Sequence, residues 1–387
     1  MFWKKIIDRK FLLQLQKNLA IVGFSFLIVW GYVQIALNLS FLNPISEAIK
    51  GFSITDKYYQ MMSEKESHLV VIVDLTSLIY RDDIAQALED IEACNPAVIG
   101  VDCVFEGERE DTAADNAIRR VASKYDNIVY SYRLLDEQGY GIGYSRSVHS
   151  FFTDTIKVHE GVTNMQFDNL YSSIKRKLKA GWLVNGKKEP TLVGEVVNYY
   201  AKEKVLDVTD KDVNINFHPT RFTKIDPSEI LQNRAQIEGR IVLLGTLTDE
   251  TDMHFTPLGK IAGVELLAYA AQSILEKEEI VEFPLWIQVI IAVLLVILTN
   301  IMQRTYIDWT TSNNNPFIRY VIGSTYVMGL FTFLWIALIM WITFLCFSLY
   351  GVNVETGWPI AAMAFLATAR SFYAACEAYY KLWKEKK

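Results

Sequence analysis

Four long apolar runs constrain this chain more than any other feature of its sequence. They cover residues 19–39, 284–302, 322–347 and 358–376, and each approaches the roughly 20 apolar residues that cross a bilayer as a helix. Gln34 is the main polar interruption of the first run. Pro284 opens the second, at a position favoured for the first helical residue. Arg370 lies inside the fourth. The first run is too long for a signal-peptide core and no small-x-small site follows it, so it predicts an uncleaved anchor. Together the runs predict a four-helix transmembrane anchor.

Lys and Arg near the runs set the expected orientation. Lys4, Lys5, Arg9, Lys10 and Lys17 precede the first run against Asp8 alone, Arg304 and Arg319 bracket the loop after the second, and Lys381, Lys384, Lys386 and Lys387 follow the fourth. This pattern puts 1–18, 303–321 and 377–387 in the cytoplasm and 40–283 outside. The chain carries a formal charge of −6 although its predicted cytoplasmic pieces are basic. Its acids therefore gather in 40–283, which makes that segment a poor nucleic-acid binder. Of the four Cys, Cys94 and Cys103 face outward. The strand-like run between them holds them roughly 20 Å apart, which predicts free thiols.

The three cytoplasmic pieces are each shorter than the roughly 50 residues of a small domain. No kinase, cyclase or DNA-binding module fits within any of them. The expected route for a signal is therefore the membrane helices and a separate membrane or cytoplasmic effector, with self-association a further option.

The external segment begins with a connector, 40–67. LVVIVD (69–74), AVIGVDCVF (97–105) and NIVYSY (127–132) then read as strands, with helices at 82–94 and 112–125 between them. That alternation predicts an α/β fold with a mostly parallel sheet. Residues 133–190 lose the rhythm and predict an antiparallel insertion. A helix at 191–203, strands at 213–217 and 240–245, and a helix at 263–277 complete the reading, the last helix running nearly continuously into the second apolar run.

Ligand sites in open parallel sheets gather outside the carboxyl ends of strands. Asp74, Asp102 and Gly245-Thr246 end three strands, so Asp74, Asp102 and one of Asp249 or Asp252 converge if those strands are neighbours. Three carboxylates in one crevice call for protonation or a hard cation such as Mg²⁺ or Ca²⁺. The alternative is that each Asp fixes its own turn by accepting backbone N–H groups. The five His are scattered, and no P-loop, nucleotide fingerprint or nucleophile elbow is present. An enzyme is not expected. Within the fourth run Arg370 is either snorkelling to the cytoplasmic boundary or held by a buried partner. Ala364, Ala367, Thr368 and Ala375 give a small-residue surface suited to close helix packing.

VVIVD (70–74), VIGVDCVF (98–105), KIDPSEIL (224–231) and the run from EGRIVLLG through GVELLAYAAQSIL (238–275) resemble, in their order, the second class of CHASE domains. These are cyclase- and histidine-kinase-associated sensory extracellular domains of bacteria. The resemblance implies one span before the sensor and three after it, in the cytoplasmic (inner) membrane of a bacterium. It implies acidic strand ends at Asp74 and Asp102, a Gly245-Thr246 turn, and Asp252 ahead of the Thr256-Pro257 pair. Gly263 opens the last helix, followed by Val264 and Glu265. Where relatives tend to carry an acid-Gly-x-x-Arg turn, this chain has FDNLYSSIKRKLK (167–179). The function implied is a stand-alone sensor in which loop 246–262 couples a ligand to the membrane helices. A scaffold subunit of an envelope complex is the alternative.

Overall fold

The computed structural model describes residues 9–38, 54–135, 144, 146–164, 174–210, 212–278 and 280–385. The chain divides into two compact units, Tyr59–Ile280 and the remainder, Met1–Tyr58 with Val281–Lys387. Helix α1 (Arg9–Asn38) belongs to the second unit, and α2 (Ile54–Met61) crosses the boundary in sequence. The first half of the predicted connector, residues 40–53, lies outside the described residues.

The unit Tyr59–Ile280 is a mixed α/β domain around a mostly parallel sheet. Its order is β10 (Thr220–Ile225), β1 (Lys65–Asp74), β11 (Ile241–Gly245), β2 (Val98–Val101) and β3 (Ile128–Leu135). Beyond β3, β4 (Arg146–Val148) pairs antiparallel and β5 (His159–Val162) pairs parallel. The strands form where β-branched residues run unbroken, as expected of a sheet covered on both faces. Val71, Val73, Val101, Val242 and Leu244 share one core with Ile84, Leu88 and Ile91 of α3 (Arg81–Ala93) and Ile118 and Val121 of α4 (Thr112–Lys124). Burying each such side chain contributes about 1.5–3 kcal/mol. On the other face α5 (Leu192–Ala201) brings Val196 over Gly100. A helical turn, α6 (Arg234–Ile237), precedes β11, and α7 (Gly263–Glu276) brings Val264 over Gly245.

The insertion is partly antiparallel, as expected. β6 (Lys177–Leu178) pairs with β9 (Val213–Asn214), and β7 (Gly181–Val184) forms a hairpin with β8 (Lys187–Pro190). Parts of it, 136–143, 145 and 165–173, lie outside the described residues. Two strand readings need correction. The predicted strand 213–217 pairs over only two residues, whereas the parallel edge strand is Thr220–Ile225, with the alternating pattern TRFTKI. Loop 246–262 also contains a hairpin, β12 (Met253–Thr256) with β13 (Gly259–Ala262).

The predicted continuity of the last domain helix with the second apolar run does not hold. Helix α7 ends at Glu276, and Lys277 adopts a left-handed conformation with φ 55°. Its N–H and that of Glu278 return to Ile274 and Ser273 carbonyls, closing the helix end. The next long helix begins at Leu285, behind Pro284.

In the second unit, α1 over Leu12–Ile35, α8 (Leu285–Ser312) and α9 (Thr325–Tyr350) are long and apolar enough to cross a membrane. A π-helical segment, Phe317–Ile322, precedes α9. The fourth run is not one straight span. It breaks by 58° between α10 (Gly357–Ala364) and α11 (Leu366–Glu385), so the described helices give three spans, or four if the bent pair counts as one. A two-residue parallel ladder joins β14 (Val281–Glu282) to β15 (Val352–Asn353). Helix α11 runs antiparallel along α1: Tyr32 meets Phe365, Phe24 meets Phe372, and Lys17 lies 3.7 Å from Glu377.

Arg370 is not poised at a helix end. Helix α11 continues to Glu385, and Arg370 turns inward, its Nη2 donating to Gln303 Oε1 at 2.8 Å and its Nη1 to Asn300 Oδ1 at 3.3 Å. Asn300 in turn donates to Asn18 Oδ1, and Gln303 to Thr332 Oγ1. The polar chain therefore ties α1, α8, α9 and α11 together. Ala364, Ala367, Thr368 and Ala375 stay exposed, while Ala362, Met363, Leu366 and Ala369 fill the helical core.

Candidate functional site

Strands β1, β11 and β2 are neighbours, with Asp74 in register with Gly245 and Leu244 with Val101. The Asp102 N–H donates to the Leu244 carbonyl at 2.8 Å and continues that ladder. Asp74, Gly245 and Asp102 therefore leave three adjacent strands at one level, on the carboxyl edge. Gly245 has no side chain because Val264 of α7 occupies its space. A Cβ there would stand 2.8 Å from Val264 Cβ and 3.4 Å from Asp102 Cβ.

The two strand-end acids do different things. Asp74 Oδ1 accepts from the Thr76 N–H, the Thr76 hydroxyl and the Leu247 N–H. It fixes the turn after β1 and ties it to the loop after β11. Asp102 instead faces a cavity of about 490 Å³, lined by Leu75, Leu78, Ile84, Asp102, Cys103, Thr163, Thr246, Asp249, Asp252 and His254. Of the acids proposed from sequence, Asp102, Asp249 and Asp252 share this cavity and Asp74 does not line it.

Within the cavity Asp102 accepts a hydrogen bond from the Thr163 hydroxyl. Burial pushes the Asp102 carboxyl up to about 6, Thr163 opposes the rise, nearby Asp252 adds to it and His254 opposes it. Burial likewise pushes the Cys103 thiol up to about 11, with the charge of Asp102 adding to the effect. A thiol held that high stays protonated at neutral pH and is a poor nucleophile. His254 Nε2 lies 3.4 Å from Asp252 Oδ1. The contact lacks hydrogen-bond geometry, and that buried nitrogen has no partner among the described residues. Leu75, Leu78 and Ile84 add an apolar wall. The combination suits a small ligand with hydrogen-bond donors or positive charge at one end and an apolar body.

Loop 246–262 is held by its own side chains. Asp249 accepts from the Thr251 N–H at 2.9 Å and its hydroxyl at 2.7 Å, which keeps its carboxyl below the ordinary range. Thr256 closes the β12–β13 turn by donating to the Gly259 carbonyl and accepting from the Leu258 N–H, with Pro257 buried between. The Asp252 carboxylate lies directly against Gly263 at the start of α7, where any Cβ would collide with it. A carboxylate is favoured there by the helix dipole. Glu265 accepts from the Ala262 N–H at 3.3 Å and pairs with Lys224 of β10 at 2.6 Å.

Thr163 and His254 line the cavity without belonging to the sequence-predicted site. Thr163 follows β5, which pairs parallel to β3, so the strand-end rule reaches it once 159–162 is read as a parallel strand. His254 sits on a hairpin that periodicity does not reveal. Among the described residues no group of three or more His, Cys, Asp or Glu could hold a metal ion.

The family model that matches the chain is the CHASE2 domain, over residues 26–302. No curated protein and no solved structure matches it.

Proposed function

Since the chain belongs to the CHASE2 domain family, a family of sensory extracellular domains, we propose that it is a membrane-anchored sensor whose Tyr59–Ile280 unit binds a small molecule outside a bacterial inner membrane. Its occupancy passes through the membrane helices to a separate effector. The observation that carries this reading is the cavity at the carboxyl ends of β1, β11 and β2. One carboxylate, Asp102, faces it from the sheet, and a second, Asp252, enters from the loop that starts α7. A ligand held between them contacts both the sheet and the loop that starts α7, so binding energy can reposition α7 relative to β11. The basic flanks of the apolar helices support cytoplasmic ends for the chain.

The test is thermal stabilisation of the purified full-length protein by fractions of the host's extracellular small molecules, repeated with Asp102→Asn. Stabilisation lost in the variant supports sensing through this cavity. A set of fractions that stabilises neither protein, together with stoichiometric copurification of envelope subunits, would replace the sensor with a scaffold.

A further inference from the structure

The helical unit carries positive charge that its described residues leave uncompensated. Arg370 is held by two neutral side-chain carbonyls, Asn300 Oδ1 and Gln303 Oε1, and not by a carboxylate. Arg304 is the residue after Gln303 on α8. Its Nη1 is buried without a hydrogen-bond partner, and it stands close enough to Arg370 for the two charges to act on one another. Among the described residues no carboxylate forms an ion pair with either arginine, exposed Asp308 one turn beyond Arg304 included; Glu377 on α11 is taken by Lys17 and Lys381. Two like charges and an orphaned buried donor are costly in a low-dielectric setting unless an anion joins them.

The position of Arg304 favours one kind of anion. It is five residues before Trp309 on α8, or about 7.5 Å at the helical rise. Trp309 is exposed, and Tyr306, between the two, stacks on Phe331 of α9 and donates to the Ile322 carbonyl. Exposed Tyr379, Tyr380 and Trp383 follow Arg370 on α11, beside Lys381 and Lys384. Aromatic residues of this kind mark the headgroup level of a bilayer. Arg304 is thus within side-chain reach of lipid phosphates. Arg370, clamped by Gln303 and Asn300, supplies a second guanidinium from the protein side. Basic pockets between membrane helices at that level suit anionic lipid headgroups, and guanidinium donors match phosphate oxygens in pairs.

We propose that Arg304 and Arg370, the latter fixed by Asn300 and Gln303, form a binding site for the phosphate of an anionic phospholipid in the leaflet nearer the N-terminal end of α1. The lipid completes the polar chain that joins α1, α8, α9 and α11. It is independent of the cavity in the Tyr59–Ile280 unit, and a failure of one assignment leaves the other standing.

The experiment is native mass spectrometry of the full-length protein released from bilayers of mixed phosphatidylglycerol and phosphatidylcholine. The expected result is a retained phosphatidylglycerol on the wild type, with retention falling about tenfold in Arg304→Gln, the scale of one lost hydrogen bond to a charged group. Arg304→Lys should keep part of it, and a Lys381→Gln, Lys384→Gln double variant should keep nearly all. Since a single substitution could loosen the bundle, the melting temperature of each variant is also followed in pure phosphatidylcholine. A variant that melts like the wild type there, yet no longer gains stability from phosphatidylglycerol, supports the site. Equal retention of the two lipids overturns it, as does unchanged retention in Arg304→Gln. Loss on removing Lys381 and Lys384 instead means general surface attraction, and an acidic membrane protein retained in place of lipid assigns the arginines to a protein partner; either also overturns it.

Discussion

Arg81 and Asp115 are buried together where α3 and α4 begin, the Arg81 Nη1 lying 2.5 Å from Asp115 Oδ1. Arg81 also donates to the Glu106 carbonyl, and Asp115 accepts from the Arg109 N–H at 2.8 Å. Burial alone would raise the Asp115 carboxyl, but these bonds and the charge of Arg81 hold it below its ordinary value. Its contribution to stability is therefore full above the ordinary Asp value and is lost as pH falls through the depressed one. Arg81→Ala leaves a buried carboxylate alone and should cost about 3–5 kcal/mol, read as faster amide hydrogen exchange throughout α3 and α4. Asp102 has the opposite sign. Its carboxyl is raised from 3.8 to about 6, so the folded state binds the proton more tightly and stability declines as pH climbs between those values. Melting of Asp102→Asn should lack that decline and match or exceed the wild type at neutral pH. A steeper decline in the variant would show that another group carries it. A cationic ligand should bind more tightly above pH 6, where Asp102 is charged.

The strands and helices of the sheet were largely legible because unbroken β-branched runs and helical spacing each report one burial pattern. The convergence of Asp102 with Asp252 was half legible. Strand ends place Asp102, but Asp252 arrives on a short hairpin that only tertiary packing specifies. Asp74 looked equivalent to Asp102 in sequence. What separates them is Thr76, which satisfies Asp74 locally, whereas no hydroxyl follows Asp102 two residues on. The edge strand Thr220–Ile225 was missed because its alternating polar residues face outward, and an exposed edge leaves a weak apolar signal. Arg370 was placed by its distance from a predicted run end, and α11 simply continues past that end. Gly245 is the most exacting position in the β11–α7 connection. Gly245→Ala drives a methyl to within 2.8 Å of Val264 and should destabilise the unit by about 1–3 kcal/mol. The paired variant Gly245→Ala, Val264→Ala should recover part of that loss in the same chemical-denaturation measurement.

At the scale of the whole chain, the two units place very different demands on sequence. The Tyr59–Ile280 unit is built from consecutive βα segments, except that β11 threads between β1 and β2 late in the chain. The helical unit draws on both ends of the sequence, because α1 packs along α11 and hydrogen-bonds to α8 through Asn18 and Asn300. That pairing has a temporal consequence. During synthesis α1 precedes its partners by hundreds of residues: Asn18 has no Asn300 to meet until α8 is made, and α11 follows later still. A chain stopped after Phe365 never receives α11 and should be cleared by membrane quality-control proteases, seen as a shortened half-life in a pulse–chase. Supplying residues 366–387 as a separate peptide should restore that half-life, because the late helix is the clasp that keeps the early one.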